Sequence, residues 1–231
     1  MQYSFDFNRK LSSTQGICVE KRPDIPAAKE KVEYISIPGR TEKLCRHTGA
    51  FENVEIKVEC GFKANQEEWH EKVCTIREWL QGSGELSFQD SEALFWKVCA
   101  AKIDGVERRL KKYGFFKAVF TCSPFTYLKE GKKWKSTEEA MKNPGTVCHP
   151  VYKIEGEGVC ILTLNGKSLT VNVGQNVIVD TDRMLAYKND GAIQNTKVMG
   201  DYDTLWLKSG NNIFQATPGF RISVMPNWRY I

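Results

Sequence analysis

The sequence contains only three histidines, His47, His70 and His149, so an acid–base or nucleophilic centre built on imidazole must use one of them. His70 and Cys74 stand four residues apart, a spacing that puts two side chains on one helix face. Two ligands on one turn make no metal site without two more groups. Cys74 is therefore expected to pack beside a core stripe and His70 to face solvent. His149 precedes Pro150 in a linker-like stretch, a poor place for a preorganised base, and His47 follows Cys45 and Arg46 in an expected loop. Paired carboxylates occur twice, as Asp180/Asp182 in V-D-T-D and Asp201/Asp203 in G-D-Y-D. Strand alternation would put each pair on one face, where one carboxyl could act as acid and the other as nucleophile. Both pairs equally suit turns and strand ends, and no D-x-D-x-D-G calcium loop is present.

Phosphate chemistry finds little more. Glu155-Gly156-Glu157-Gly158 holds G-x-G, but it lacks the third glycine and a following helix, and its glutamates repel phosphate. Two basic runs, Arg108-Arg109-Leu110-Lys111-Lys112-Tyr113 and Lys132-Lys133-Trp134-Lys135, have the composition for phosphate contacts. They equally suit a solvated hairpin tip or an edge guarded against strand pairing. No catalytic, metal or cofactor residues are expected, and the residues point to a binding or assembly module rather than an enzyme.

The elements that carry these residues read as mainly β. In a chain of 231 residues, 41% hydrophobic and 26% charged, a packed core is expected, in one large domain or two small ones. No apolar run reaches the roughly 20 residues of a membrane span. The opening MQYSFDFNRK lacks the basic-then-apolar pattern of a secretory signal. The net charge of +5 is interspersed, too mild for a nucleic-acid-binding face. The eight cysteines form no C-x-x-C and are expected as reduced, mostly buried thiols.

Phe51–Phe62 alternates, with Val54, Ile56, Val58, Cys60 and Phe62 on one face and Glu55, Lys57 and Glu59 on the other, which predicts a half-buried strand. Gln66–Gln81 predicts a helix with the stripe Trp69, Val73, Ile76 and Leu80, capped by Asn65 with Glu68 and ended at Gly82. Gly82-Ser83-Gly84 predicts a loop. Leu86–Phe88, Ala93–Ile103 and Phe115–Cys122 predict strands. Residues 129–146 change character, with a short helical turn expected at Thr137–Lys142 and a turn at Asn143-Pro144-Gly145. The domain boundary is placed there, giving domains 1–143 and 144–231. The second half is sparsely charged. Val159–Leu164 and Ser168–Val173 flank Asn165-Gly166, a strong hairpin signal, and further short strands at Val177–Asp180, Leu205–Lys208, Asn212–Ala216 and Phe220–Met225 predict a β-sandwich.

Several segments, in order, match a known pattern. They are Arg22-Pro23-Asp24-Ile25-Pro26, Val32–Ile37 with Pro38-Gly39-Arg40, Phe51-Glu52-Asn53-Val54, and the helix ending in Trp79-Leu80. Then come Asn143-Pro144-Gly145-Thr146, Pro150–Gly156, Asn165-Gly166, Asp180-Thr181-Asp182, Met199-Gly200-Asp201-Tyr202, Gly210-Asn211-Asn212 and Pro226–Ile231. Taken together, the chain resembles the distal tail protein (Dit) family of long-tailed phages and prophages of Gram-positive bacteria. The resemblance implies a tail-tube-like β-barrel N-terminal domain with one α-helix, six copies of which form a ring, and a C-terminal galectin-like β-sandwich. It implies a structural virion protein at the tail tip, assembled in the host cytoplasm without a membrane. Its partners would be itself as a homohexamer, the tail tube protein, the tail-associated (tail tip) protein and receptor-binding components, with DNA only in transit through the lumen.

Within that resemblance, the loop Pro38-Gly39-Arg40 is a candidate arm. Arg40 is either an interface anchor, through its planar fork, or an exposed arginine beside a turn. Trp79, off the main helix stripe, is either an interface aromatic or an edge-of-core residue. Trp206, opposite Leu205 and Leu207, is expected to be exposed, facing a partner protein or a sugar ring. The alternative function is a galectin-like carbohydrate-binding module, although residues 150–231 contain no histidine for a galectin-type sugar site.

Overall fold

The computed structural model describes residues 3–137 and 140–231. The chain divides into two compact units, the first ending at Thr126 with Ile231 added, the second spanning Tyr127–Tyr230.

The first unit contains β1 (Phe5–Phe7), β2 (Lys10–Leu11), β3 (Ile17–Val19), β4 (Glu30–Ile35), β5 (Leu44–Phe51), β6 (Val54–Lys63), α1 (Trp69–Trp79), β7 (Gly82–Phe88), β8 (Leu94–Ile103), β9 (Glu107–Arg109) and most of β10 (Tyr113–Leu128). Its main sheet runs β2-β1-β7-β8-β10-β6-β3, with β9 also on β10. β10 pairs with β6 over ten residues, from Tyr113↔Lys63 to Cys122↔Val54. The period-two pattern of β6 holds: Val54, Ile56, Val58, Cys60 and Phe62 are buried and join Phe5, Phe7, Leu86 and Phe120 in one core. The sheet curls as a half-barrel, and α1 is the one α-helix among the described residues.

Two local readings change. The predicted capping box does not form. Residues 66–68 are a turn, α1 begins at Trp69, and Glu68 at its N-cap makes no side-chain capping bond. A turn ahead of the helix takes up the residues that periodicity alone had assigned to it. The expected loop Gly82-Ser83-Gly84 lies inside β7, where the register against β8 shifts between Gly82 and Gly84. Gly82 at φ +78 supplies the left-handed residue that such a bulge needs.

The second unit carries β11 (Lys135–Ser136), β12 (Met141–Asn143), β13 (Val151–Leu164), β14 (Lys167–Asp180), β15 (Leu185–Tyr187), β16 (Val198–Met199), β17 (Gly210–Asn212), β18 (Phe214–Ala216), β19 (Arg221–Met225) and β20 (Arg229–Tyr230). A seven-stranded sheet runs β11-β19-β13-β14-β15, with β16 on β14 and β18 on β13. The predicted hairpin at Asn165-Gly166 is confirmed and is longer than expected, paired from Leu164↔Lys167 to Val151↔Asp180. Facing it, β12 pairs β17, and Met141, Cys148, Leu205 and Leu207 close the core over Tyr152, Ile154, Leu162 and Val179. The Tyr152 hydroxyl, fully buried, donates to the Leu205 carbonyl at 2.7 Å. Leu205–Lys208 is not a strand. A single helical turn, Tyr202–Leu205, takes its first residue, and only the isolated bridge Cys148↔Leu207 pairs there.

The division between units falls at Thr126/Tyr127, not at 143/144. The residues in between pair into the second unit: β11 on β19 and β12 on β17. Of the expected helical turn at Thr137–Lys142, Glu138 and Glu139 lie outside the described residues, and Met141 onward is strand. The last strand closes the unit onto its start. β20 pairs with β10, Leu128 N–H donates to the Trp228 carbonyl at 2.9 Å, and Thr146 N–H to that of Arg229 at 2.9 Å. A Cβ on Gly145 would sit 2.1 Å from that Arg229 oxygen. Gly145→Ala is therefore expected to destabilise the chain by about 2–3 kcal/mol, the cost of overpacking against backbone that cannot swing away. Chemical denaturation followed by tryptophan fluorescence measures it.

Candidate assembly surface

Strands β4 and β5 form a two-stranded sheet of their own, joined at the base where Glu52 N–H donates to the Lys29 carbonyl at 2.8 Å. Register pairs Ile35 with Leu44, Tyr34 with Cys45, Glu33 with Arg46 and Val32 with His47. One face thus holds Ile35, Leu44 and the Glu33–Arg46 pair, the other Tyr34, Val32 and Cys45. Neither face is covered: Tyr34 is 65% exposed, Leu44 47%, Ile35 41% and Ile37 37%. His47 lies in β5 rather than a loop, with Nδ1 3.1 Å from Glu30 Oε2. An isolated hairpin is marginal in water, and this one leaves large apolar groups exposed on both faces.

Pro38-Gly39-Arg40 forms the tip of this arm. Gly39 has φ +84, Arg40 N–H donates to the Ile37 carbonyl at 3.1 Å, and the Arg40 side chain is exposed with no ion pair among the described residues. Trp79 is placed differently from the interface reading. It is 8% exposed, stacks on Phe5 at 5.6 Å and 4°, and donates its indole N–H to the Phe7 carbonyl at 3.1 Å. The helix end turns it inward onto β1, so it is a core residue of the first unit.

Trp206 is half-buried while Leu205 and Leu207 are fully buried, as alternation predicts. One face of its ring is taken: His149 stacks on it at 4.2 Å and 19°, and its indole N–H points to the Thr181 carbonyl at 3.4 Å. A sugar could stack only on the other face. His149 is no loose linker residue. Its Nδ1 lies 2.8 Å from Asp182 Oδ1 and its Nε2 3.1 Å from Arg229 Nη2, while Arg229 Nε also donates to the Val147 carbonyl at 2.8 Å. An arginine can only donate, so Nε2 accepts and the ring proton sits on Nδ1 facing Asp182. That resembles the orienting half of a catalytic dyad, but the nitrogen that would take a proton is blocked by Arg229. The cluster binds strand ends together. Nothing in the sequence marks it, because its members are 33 to 80 residues apart.

The other chemical candidates resolve as structure. Asp180 Oδ1 accepts from the N–H groups of Asp182 and Arg183, an ordinary turn at a strand end. Asp201 stands at the N-cap of the helical turn that includes Asp203. Cys74 Sγ lies 3.7 Å from His70 Nε2 on the outer side of α1. Among the described residues no group of three His, Cys, Asp or Glu is placed to hold a metal ion. All eight cysteines are free. Burial pushes the thiols of Cys60, Cys122 and Cys148 up to about 12. Maleimide at pH 8 is therefore expected to modify Cys18, Cys45 and Cys99 within minutes, and Cys60, Cys122, Cys148 and Cys160 only after unfolding. Peptide mass mapping reads the order.

No family model matches the chain, and no curated protein matches it in sequence. Among solved structures, the crystal structure of the Dit protein (gp 19.1) of SPP1 matches it with a TM-score of 0.76, at 15% sequence identity, over 100% of both chains. That protein is described as a paradigm of hub adsorption apparatus in Gram-positive infecting phages. From its first described strand to its last, this chain has the fold of the SPP1 Dit protein.

Proposed function

We propose that the chain is a structural virion protein, a hub of six copies that joins the distal end of a phage tail tube to the tail tip and docks host-adhesion components. The observation that carries the reading is the match in fold to a hub protein over the whole of both chains. At this level the argument is one of analogy between folds. The exposed β4–β5 arm supports it independently, because a ring needs heterologous contacts and the arm offers two apolar faces that the chain itself leaves open. In this reading the first unit forms the ring and the second, a galectin-like sandwich, projects from it. The tail tube protein meets one ring face and the tail-associated protein the other. Receptor-binding components attach at the periphery, and DNA crosses only the lumen. The protein assembles in the host cytoplasm and acts in the virion, without catalysis.

Three measurements test this. Cryo-electron microscopy of the purified chain, alone and with the tail tube protein of the same phage, is expected to show sixfold rings. In the rings Cys45, on the arm, should lose its maleimide reactivity while Cys99 keeps it. Gold-labelled antibody against the chain is expected at the distal end of tails. Labelling of capsids, or virions that lack the chain, overturns the assignment.

A further inference from the structure

Two strands show what this chain puts on an outward strand face. On β6 the outward residues are Glu55, Lys57 and Glu59. On the first part of β13 they are Lys153 and Glu155, paired with each other at 2.7 Å. Beyond Glu157 the same face of β13 changes character. It carries Val159, 56% exposed, then Ile161, 47% exposed, then Thr163. The neighbouring strands continue the change. Register sets Thr170 of β14 beside Ile161, and Met199 of β16, 66% exposed, beside Thr170. Thr163 and Ser168, opposite each other, are hydrogen-bonded at 2.7 Å.

The packing of the unit does not call for these groups. The inward residues of the same strands, among them Cys160, Leu162, Val171 and Val173, already fill its core. Aliphatic side chains held out into water on a face without charge mark a surface that is covered in the assembled state, because the buried centre of an interface is where charge is depleted.

The chemistry of the face selects its occupant. A charged surface laid on it would lose hydration and gain no counter-charge. A tyrosine fits it better, since a buried tyrosine needs an apolar bed for its ring and a polar partner for its hydroxyl. Ile161 supplies the first, and the hydroxyls of Thr163 and Thr170 beside it supply the second. The β4–β5 arm carries such a residue. Tyr34 is 65% exposed and shares its side of the arm with Val32 and Cys45, while the Glu33–Arg46 pair lies on the other side. His47, next along on the Tyr34 side, is paired with Glu30.

We infer that the Tyr34 side of the arm of one copy lies on the Val159–Ile161 face of a second copy. The contact deepens the ring reading and rests on it. Arm and face are different surfaces, so the contact is heterologous and repeats from copy to copy around a closed ring.

Cys45 makes the contact testable by cross-linking. In full chains carrying Cys18→Ser and Cys99→Ser, Cys45 remains as an exposed thiol, and Thr170→Cys adds one on the face. In rings, a short bismaleimide is expected to join the two between copies and give a ladder of multimers on a denaturing gel. Adding Cys45→Ser should abolish the ladder. Ile161→Lys is expected to weaken self-association about thirty-fold in sedimentation velocity, the loss of one anchor contact. Its melting temperature should stay level, because the side chain points to solvent within its own chain. Rings that give no multimers, or multimers that persist with Cys45→Ser, overturn the contact and leave the ring reading intact. So does Ile161→Lys that associates like the wild type. A wild-type chain that remains monomeric at every concentration, with or without tail tube protein, overturns both.

Discussion

Serine at Tyr34, Ile35, Ile37 and Leu44 together is expected to give a chain that folds and melts like the wild type but forms no rings. The four side chains contribute nothing to either core, so their loss should leave unfolding within about 0.5 kcal/mol of the parent. At an interface the balance reverses. Fully burying a large aliphatic or aromatic side chain is favourable by about 1.5–3 kcal/mol. Partial burial of four of them, less the side-chain ordering they incur, leaves about 4 kcal/mol per contact. That is about a thousand-fold in each association constant, and a ring requires every contact at once. Mass photometry at micromolar concentration distinguishes the outcomes. Rings from the quadruple variant would remove the arm from the interface, and a large drop in melting temperature would mean that the arm packs within its own chain.

The second large effect lies in the first unit's core. Trp79→Ala is expected to destabilise the protein by about 4 kcal/mol, within the range for truncating a buried aromatic. The ring covers Phe5 in a near-parallel stack, and its indole N–H satisfies the Phe7 carbonyl across 72 residues of sequence. Trp79→Phe separates the two contributions. It keeps an aromatic stack but leaves the carbonyl without that donor, and should cost about 1–2 kcal/mol. Equilibrium urea unfolding measures both variants. An alanine variant as stable as the wild type would return Trp79 to the surface, where an interface reading would put it.

Elements with one buried face were legible in the sequence. β6 shows its period-two pattern because Val54 to Phe62 alternate between core and solvent, and α1 shows its stripe because Val73, Ile76 and Leu80 face that same core. The β13–β14 hairpin announced itself through Asn165-Gly166, whose left-handed turn few other pairs accept. Positions defined by distant partners were not legible. Trp79 lies off the stripe of four yet points inward, because β1, at the far end of the chain, passes over the helix end. His149 reads as a linker residue because Asp182, Trp206 and Arg229 reach it from three separate elements. The boundary moved because β11 and β12 are two and three residues long, too short to show any period, and their membership is decided by β19 and β17. Both faces of the arm are apolar in part, so no clean alternation marks β5, and Cys45-Arg46-His47 reads as a loop although it is strand.

The hydrogen bond from Leu128 to Trp228 has a consequence for how such proteins diversify. It brings the entry and exit of the second unit side by side, so that about a hundred residues hang from the first as a closed loop. A module tethered in that way can be excised, grafted or circularly permuted while the rest of the chain keeps its strand order. A lineage can therefore exchange its second unit for another and leave the first unchanged.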